Sequence, residues 1–432
     1  MKLVIHGETL AALTVAAALA ESGNDVWLRP LRPVDAARLQ KQAAVEPNLA
    51  RLLTTQLDGG RLHVSADLKA AILWSGVHFL LMAADELQAA HQVAQALAQS
   101  PHDRIYLINR TTFPIGSTRQ LAQQIVLAGR PCHWAMEPDF MTPGRMLLDF
   151  TRPPRILVGG EDAEVIGLLR NLYRPFNRNR DVMQVMAPEA AEMTKFATNA
   201  MLATRVSFIN EMAQLAEHFG VDVEQVRQGL GSDPRIGYDF LYPGVGFGGP
   251  HFAQDVANLA ETMRVRQVPA GLLSAVLAIN ASQKEVLFRK AWQHYDMQLA
   301  GRTFTLWGLS YKPGTDSVIN AASIPLTRAL LAQGARVRVH DPAAVENYMQ
   351  HFAVEAGEGQ VTACEDPYTA LTDSSGLMLL TEWKPYWNPD FERMMTILRE
   401  PVIFDGRNIY EPALVEDFGF TYYGVGRGRQ PA

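Results

Sequence analysis

The chain has 432 residues, of which 48% are hydrophobic and 19% charged, and its formal net charge is -6. At roughly 150 residues per domain this predicts two or three globular domains with a sizeable core, and the lack of a basic surplus argues against nucleic acid as a partner. Only two cysteines occur, Cys132 and Cys364, which excludes a disulfide scaffold and points to a reducing cytoplasm. No Cys/His cluster has zinc spacing, so no metal is expected, and no run of about 18 apolar residues predicts a membrane span.

The N-terminus reads "MKLVIHGETLAALTVAAALAESG". A lone Lys2 and the polar "HGET" argue against a signal peptide. Residues 2–5 predict a short buried strand, Gly7 a turn, "TLAALTVAAALAESG" a helix ending at Gly23, and "DVWLRP" a second strand. That order opens a nucleotide-binding α/β domain. Apolar runs at 77–83, 104–110 and 155–160, with helical stretches among them, predict a mainly parallel sheet covered on both faces.

The pattern changes near 187. No Gly or Pro falls between Glu189 and Phe219, and the apolar spacing there is helical. Such a helix is too long for an ordinary surface element and is expected to span a domain and to serve in a dimer. A second helical stretch is expected at about 265–292. From about 298 the alternation resumes with "RTFTLWGLS", "ARVRVHDP", "SGLMLLTEW" and "PVIFDGRN". The expected fold is therefore α/β, with two Rossmann-like doubly wound parallel-sheet domains, 1–186 and 298–432, joined by a central long-helix dimerisation segment, 187–297.

Seven stretches, in order, carry a resemblance: "AVEPNLARLL", "TTFPIGSTR", "EMTKFATNAMLATRVSFINEMAQLAE", "SDPRIGYDFLYPGVGFGG", "GLSYKPGTD", "VHDP" and "FDGRN". Together they resemble the UDP-glucose/GDP-mannose dehydrogenase family over nearly the whole chain. The resemblance implies an N-terminal NAD domain, a central dimerisation segment and a C-terminal domain for the nucleotide of a nucleotide-sugar. It also implies a four-electron oxidation of a sugar C6 alcohol to a carboxylate, in which a cysteine traps the intermediate aldehyde.

That chemistry needs a soft nucleophile that adds to an aldehyde and later leaves an acyl group, and a thiol does both. At the family's cysteine this chain has His251, with Pro250 for the serine and Gln254 for the lysine; Asp255 is kept. Imidazole is a poor substitute, although His251 could act as a general base on an aldehyde hydrate. The resemblance also implies catalytic roles for Lys195 and Asn199, one helical turn apart, for Thr112, and for Asp139 in "EPDF", one methylene shorter than the family's glutamate.

The NAD fingerprint is altered. Gly7 is kept, but Thr9 stands at the second glycine and Ala12 at the third. A β-branched Thr9 is expected to intrude on the pyrophosphate. Pro30, preceded by Arg29, replaces the acidic residue expected after the second strand. An arginine there suits NADP, but without the glycines loss of the site is the favoured reading. "MAAD" at 82–85 and Ile319 depart from the family on the same side. The nucleotide-sugar side is better kept: Phe240, Leu241, Gly248 and Gly249 match the loop along the substrate, Arg235 an arginine offered to a neighbouring subunit, and Lys312 and Arg407 basic residues near the diphosphate.

Two main readings stay open. One is a degenerate family member that binds a nucleotide-sugar, UDP-glucose by default, as a homodimer, without completing the oxidation. The other is an active NAD(P)-dependent oxidoreductase with altered chemistry, using His251 or stopping at the aldehyde. A third is a structural or assembly partner in polysaccharide synthesis.

Overall fold

The computed structural model describes residues 1–177, 181–250 and 252–428. The chain divides into two compact units, Met1–Ala197 and Thr198–Ala432.

The first unit carries an eight-stranded sheet of β1 (Lys2–His6), β2 (Asp25–Arg29), β3 (Leu62–Val64), β4 (Val77–Leu80), β5 (Ile105–Asn109), β6 (Cys132–Met136), β7 (Ile156–Gly159) and β8 (Met183–Met186), in the order β3-β2-β1-β4-β5-β6-β7-β8. The first six strands are parallel; β7 pairs with β6 antiparallel, and β8 runs parallel to β7. After its first residue β1 is wholly buried, as a strand covered on both faces must be. The Leu10–Glu21 helix buries every residue from Ala12 to Ala20. Small alanines let it lie close against the sheet beside the turn that follows β1.

The second unit repeats the design with β9 (Thr303–Trp307), β10 (Arg336–His340), β11 (Val361–Ala363), β12 (Gly376–Leu379), β13 (Val402–Asp405) and β14 (Thr421–Tyr423). Their order is β11-β10-β9-β12-β13-β14 and every pair is parallel. Each unit thus has a topological switch point, between β1 and β4 in the first and between β9 and β12 in the second, and ligands of such sheets bind outside the carboxyl ends of the strands there.

A single 32-residue helix, Pro188–Phe219, connects the two units in sequence. Pro188 is tolerated at its first position, where the missing N–H would have no partner. The expected stretch at 265–292 is instead two helices, Gly271–Gln283 and Val286–His294. Pro269 and a left-handed Gln267 exclude the first residues, and the polar run Ser282–Glu285 interrupts the apolar spacing. Neither cysteine is fully buried and neither is bonded to another.

Candidate nucleotide and nucleotide-sugar sites

The first crevice begins where β1 ends. Gly7 has φ +131°, and a Cβ there would stand 2.2 Å from the Leu81 carbonyl oxygen, so only glycine lets the turn pass the end of β4. Its N–H donates to the Arg29 carbonyl at 3.0 Å, which ties the turn to β2. Thr9 is the N-cap of the Leu10–Glu21 helix: its hydroxyl oxygen accepts from the Ala12 N–H at 3.1 Å and donates to the Leu81 carbonyl at 2.9 Å. The Thr9 hydroxyl is thus turned onto its own helix and onto the residue that follows β4. The hydroxyl consumes an N–H that an unoccupied helix start would offer to a phosphate, and it bolts the turn to β4. The carbonyl of Glu8, the turn's middle residue, accepts from Gln42 Nε2 at 2.8 Å. Ala12 is buried in the helix, and Arg29 is buried at the end of β2.

Beneath this turn lies a pair the sequence did not single out. His6 Nε2 and His78 Nδ1 are 3.0 Å apart, with stacked rings, on neighbouring β1 and β4. His78 Nε2 lies 2.8 Å from the Ser75 carbonyl, so it carries the proton, and His6 Nε2 must then be the donor to His78 Nδ1. Burial lowers both pKa values, that of His78 to about 4.

The second crevice is a cavity of about 370 Å³ lined by Phe240, Tyr242, Gly248, Tyr311, Lys312, Glu382 and Arg407 among others. Tyr311 and Lys312 follow β9, Glu382 follows β12 and Arg407 follows β13, so the cavity sits at the switch point. Arg407 is fixed there by donation from Nε to the Leu380 carbonyl at 2.6 Å and by Glu382 at 3.1 Å. Lys312 lies over the Tyr311 ring. The wall opposite is the loop 244–249. Side chains at Gly246, Gly248 and Gly249 would collide with Asn280, the Asn320 carbonyl and the Tyr311 ring. Three buried amides hold the loop: Asn280 exchanges two hydrogen bonds with the backbone of Phe247, Asn210 accepts from the Gly244 N–H, and Gln283 donates to its carbonyl. Leu241 is a core residue beside this cavity rather than part of its lining. Arg235 is exposed and bonded to its neighbour Asp233 at 2.6 Å, away from the cavity lining.

The catalytic candidates fall in both units. In the first, Thr112 lies in the loop after β5, Asp139 lies 3.9 Å from Arg110, and the Lys195 ammonium sits 5.1 Å from the Phe140 ring centre. In the second, Asn199 Nδ2 donates to Asp255 Oδ2 at 2.5 Å, both residues buried. His251 lies outside the described residues.

Three stretches match domains of one family: "UDP-glucose/GDP-mannose dehydrogenase family, NAD binding domain" at 1–177, its "central domain" at 189–282 and its "UDP binding domain" at 305–412. A UDP-glucose 6-dehydrogenase of Pseudomonas aeruginosa is 36% identical over 99% of this chain and 98% of its own length, and one of Rhizobium meliloti is 30% identical over 99% and 100%. The chain belongs to the UDP-glucose/GDP-mannose dehydrogenase family. The solved UDP-glucose dehydrogenase of the hyperthermophilic archaeon Pyrobaculum islandicum superposes with a TM-score of 0.87 at 28% identity, covering 98% of this chain and 97% of that one.

Within a UDP-glucose/GDP-mannose dehydrogenase frame, two buried carboxylates missed by the sequence reading hold the loops of the first unit. Glu192, on the long helix, accepts from the Gly116 and Thr118 N–H groups and from the Thr118 hydroxyl at 2.6 Å, fixing the segment that follows Thr112. Glu46 accepts from the Gly144 and Met146 N–H groups, fixing the segment that follows Asp139. Both residues lie inside the stretches quoted for the resemblance, but a glutamate in a helical or loop sequence carries no sign that it will be buried. Arg110, Glu137 and Tyr173 form a third buried polar group against a cavity of about 320 Å³. Burial works against the Arg110 charge, but Glu137, Tyr173 and Asp139 outweigh it and keep the guanidinium firmly protonated. No metal-ligand cluster is found among the described residues, and no helix among them is long and apolar enough to cross a membrane.

Proposed function

We propose that this chain is a nucleotide-sugar-binding member of its family, with UDP-glucose as ligand, that does not complete the NAD-dependent four-electron oxidation of the sugar C6 alcohol. The carrying observation is the contrast between its two switch points. In the second unit Lys312 and Arg407 line a cavity against a glycine loop held by three amides, and two cations on one cavity suit a diphosphate. In the first unit Thr9 uses the Ala12 N–H for its own cap. Loss of the thiol at position 251 points the same way, since Cys132 lies in β6 and Cys364 follows β11. Burial pushes the Cys132 thiol up to about 12, which makes it a poor nucleophile.

In this reading Lys195, Asn199, Thr112, Asp139 and Asp255 are retained family positions, and Arg235 is offered to a second copy. The exposed Met201, Phe208 and Leu215, seven residues apart along the long helix, support a homodimer through that face. The chain is divided as an NAD-type domain to 186, a central helical segment to 297 and a nucleotide-sugar domain beyond. Its setting is the cytoplasm, as a regulatory or assembly partner in polysaccharide synthesis. The buried Asn199–Asp255 bond favours a second reading, an oxidoreductase with altered chemistry, because a disused pocket has no need of a buried amide–carboxylate pair. Calorimetric titration with UDP-glucose tests the binding reading. Micromolar binding is expected, weakened roughly tenfold in Lys312→Met; no binding by the unaltered protein would contradict it.

A further inference from the structure

The crevice of the first unit holds a cation that its own fold does not answer. Arg29 ends β2 and is 8% exposed. Its one side-chain hydrogen bond among the described residues is a long one, from Nε to the Ala66 carbonyl at 3.4 Å. It makes no ion pair with any described residue, and burial alone acts on its charge, lowering its pKa. The terminal nitrogens bond nothing among the described residues, yet neither is sealed from solvent. Glu8, the carboxylate of the adjoining turn, leans to Arg38 at 3.8 Å instead. His6, opposite Arg29 in the β1–β2 register, feels its charge but is itself held neutral by burial.

A guanidinium buried to this extent without a counter-charge is unfavourable unless an anion arrives. Its planar fork matches the oxygens of a phosphate. The position sets which phosphate. In a doubly wound crevice the end of the second strand faces the adenosine ribose, where a carboxylate receives free hydroxyls and an arginine accommodates a 2′-phosphate. Here Pro30 takes the place of the carboxylate, and exposed Arg32 follows three residues after Arg29. The pyrophosphate end has lost an N–H to Thr9, so discrimination in this crevice moves to the ribose end.

We propose that the crevice of the first unit takes an adenine nucleotide phosphorylated on its ribose, a 2′-phosphorylated dinucleotide in preference to NAD, with Arg29 as the ligand of that phosphate. The proposal rests on the crevice being a dinucleotide site, as the family match implies, and not on whether turnover is lost. Calorimetric titration of the full chain with adenosine 2′,5′-bisphosphate and with ADP, which carries both phosphates at the other end, tests it. The bisphosphate is expected to bind at least roughly tenfold tighter than ADP. Arg29→Gln should erase the difference and Arg29→Lys should keep part of it, and NADP should bind more tightly than NAD. Equal binding of bisphosphate and ADP, or a preference that survives Arg29→Gln, overturns the proposal. Should Arg29→Gln not fold, the comparison in the unaltered protein and in Arg29→Lys decides. A UDP-glucose titration of the same sample separates the two readings. UDP-glucose binding without any binding of the bisphosphate sinks this proposal and leaves the proposed function standing. The converse sinks the proposed function and leaves this one.

Discussion

Thr9 shows how one side chain can change a site without disturbing the fold around it. A glycine at this position leaves the start of the Leu10–Glu21 helix open to an anion, whereas the threonine hydroxyl caps the helix from within and is anchored on the Leu81 carbonyl. The hydroxyl that takes the Ala12 N–H also strengthens the turn. Thr9→Gly should lower unfolding stability by about 1 kcal/mol, a few tenths from the cap, where glycine is tolerated, and the rest from the lost hydroxyl bond to the Leu81 carbonyl. It should also raise NAD affinity by at least roughly tenfold, because a hydrogen bond to a charged group contributes about 1.5–3 kcal/mol. Denaturant unfolding and NAD titration of the same variant read both effects. Unchanged NAD affinity would mean that the Ala12 N–H is not what the crevice lacks. The sequence made the substitution visible but not its mechanism. Extra bulk toward the phosphates was expected, and the direction of the hydroxyl depends on Leu81, which is 72 residues away.

At the scale of elements, the pairing of β1 with β4 buries two titratable rings in one layer. The folded pKa of His78, about 4, is below its ordinary value near 6.5, and that of His6 moves the same way. Stability from keeping these rings neutral is fully present above pH 6.5. It is lost as pH falls toward 4, because the unfolded chain takes up the protons first. For His78 alone the loss between pH 7 and pH 5 should be roughly 2 kcal/mol, at 1.36 kcal/mol per pH unit below its unfolded pKa. Urea unfolding of the protein at the two pH values, beside a His6→Leu/His78→Leu variant, checks this: the variant should lose less over that window, and parallel losses would contradict the account. Elements of this kind were partly legible beforehand. Strands and the long helix follow from apolar runs and from the lack of Gly or Pro between Glu189 and Phe219. The break at Ser282–Glu285 and the clamp of Asn210, Asn280 and Gln283 on the glycine loop were not. An amide on an apolar helix face reads as a polar interruption until the backbone it serves is in place.

Across the whole molecule the same doubly wound plan occurs twice, and the two copies treat the first turn differently. Gly308 repeats Gly7: its N–H donates to the carbonyl of the last residue of β10, and a Cβ would meet Thr381 at 2.4 Å. In the second unit an acid follows that strand, Asp341, and it accepts from the Leu309 and Ser310 N–H groups. That turn is thus closed by the protein's own carboxylate, and the cavity lies farther along, among Lys312, Glu382 and Arg407. In the first unit Pro30 stands at the matching place, and Arg29 before it has no ion-pair partner among the described residues. Both sheets were readable from apolar runs, and family membership from seven colinear stretches, since loops that approach a ligand constrain residue types over short spans. Buried supports such as Glu46, Glu192 and the histidine pair were not, since their partners lie far away in sequence. The central claim, binding without oxidation, is tested most directly by incubating the full chain with UDP-glucose and either NAD or NADP, then measuring nicotinamide reduction and sugar product together. The account predicts bound UDP-glucose with no uronate from either cofactor. Uronate formed with two nicotinamides reduced per sugar would contradict it, and would require a nucleophile other than a cysteine at position 251.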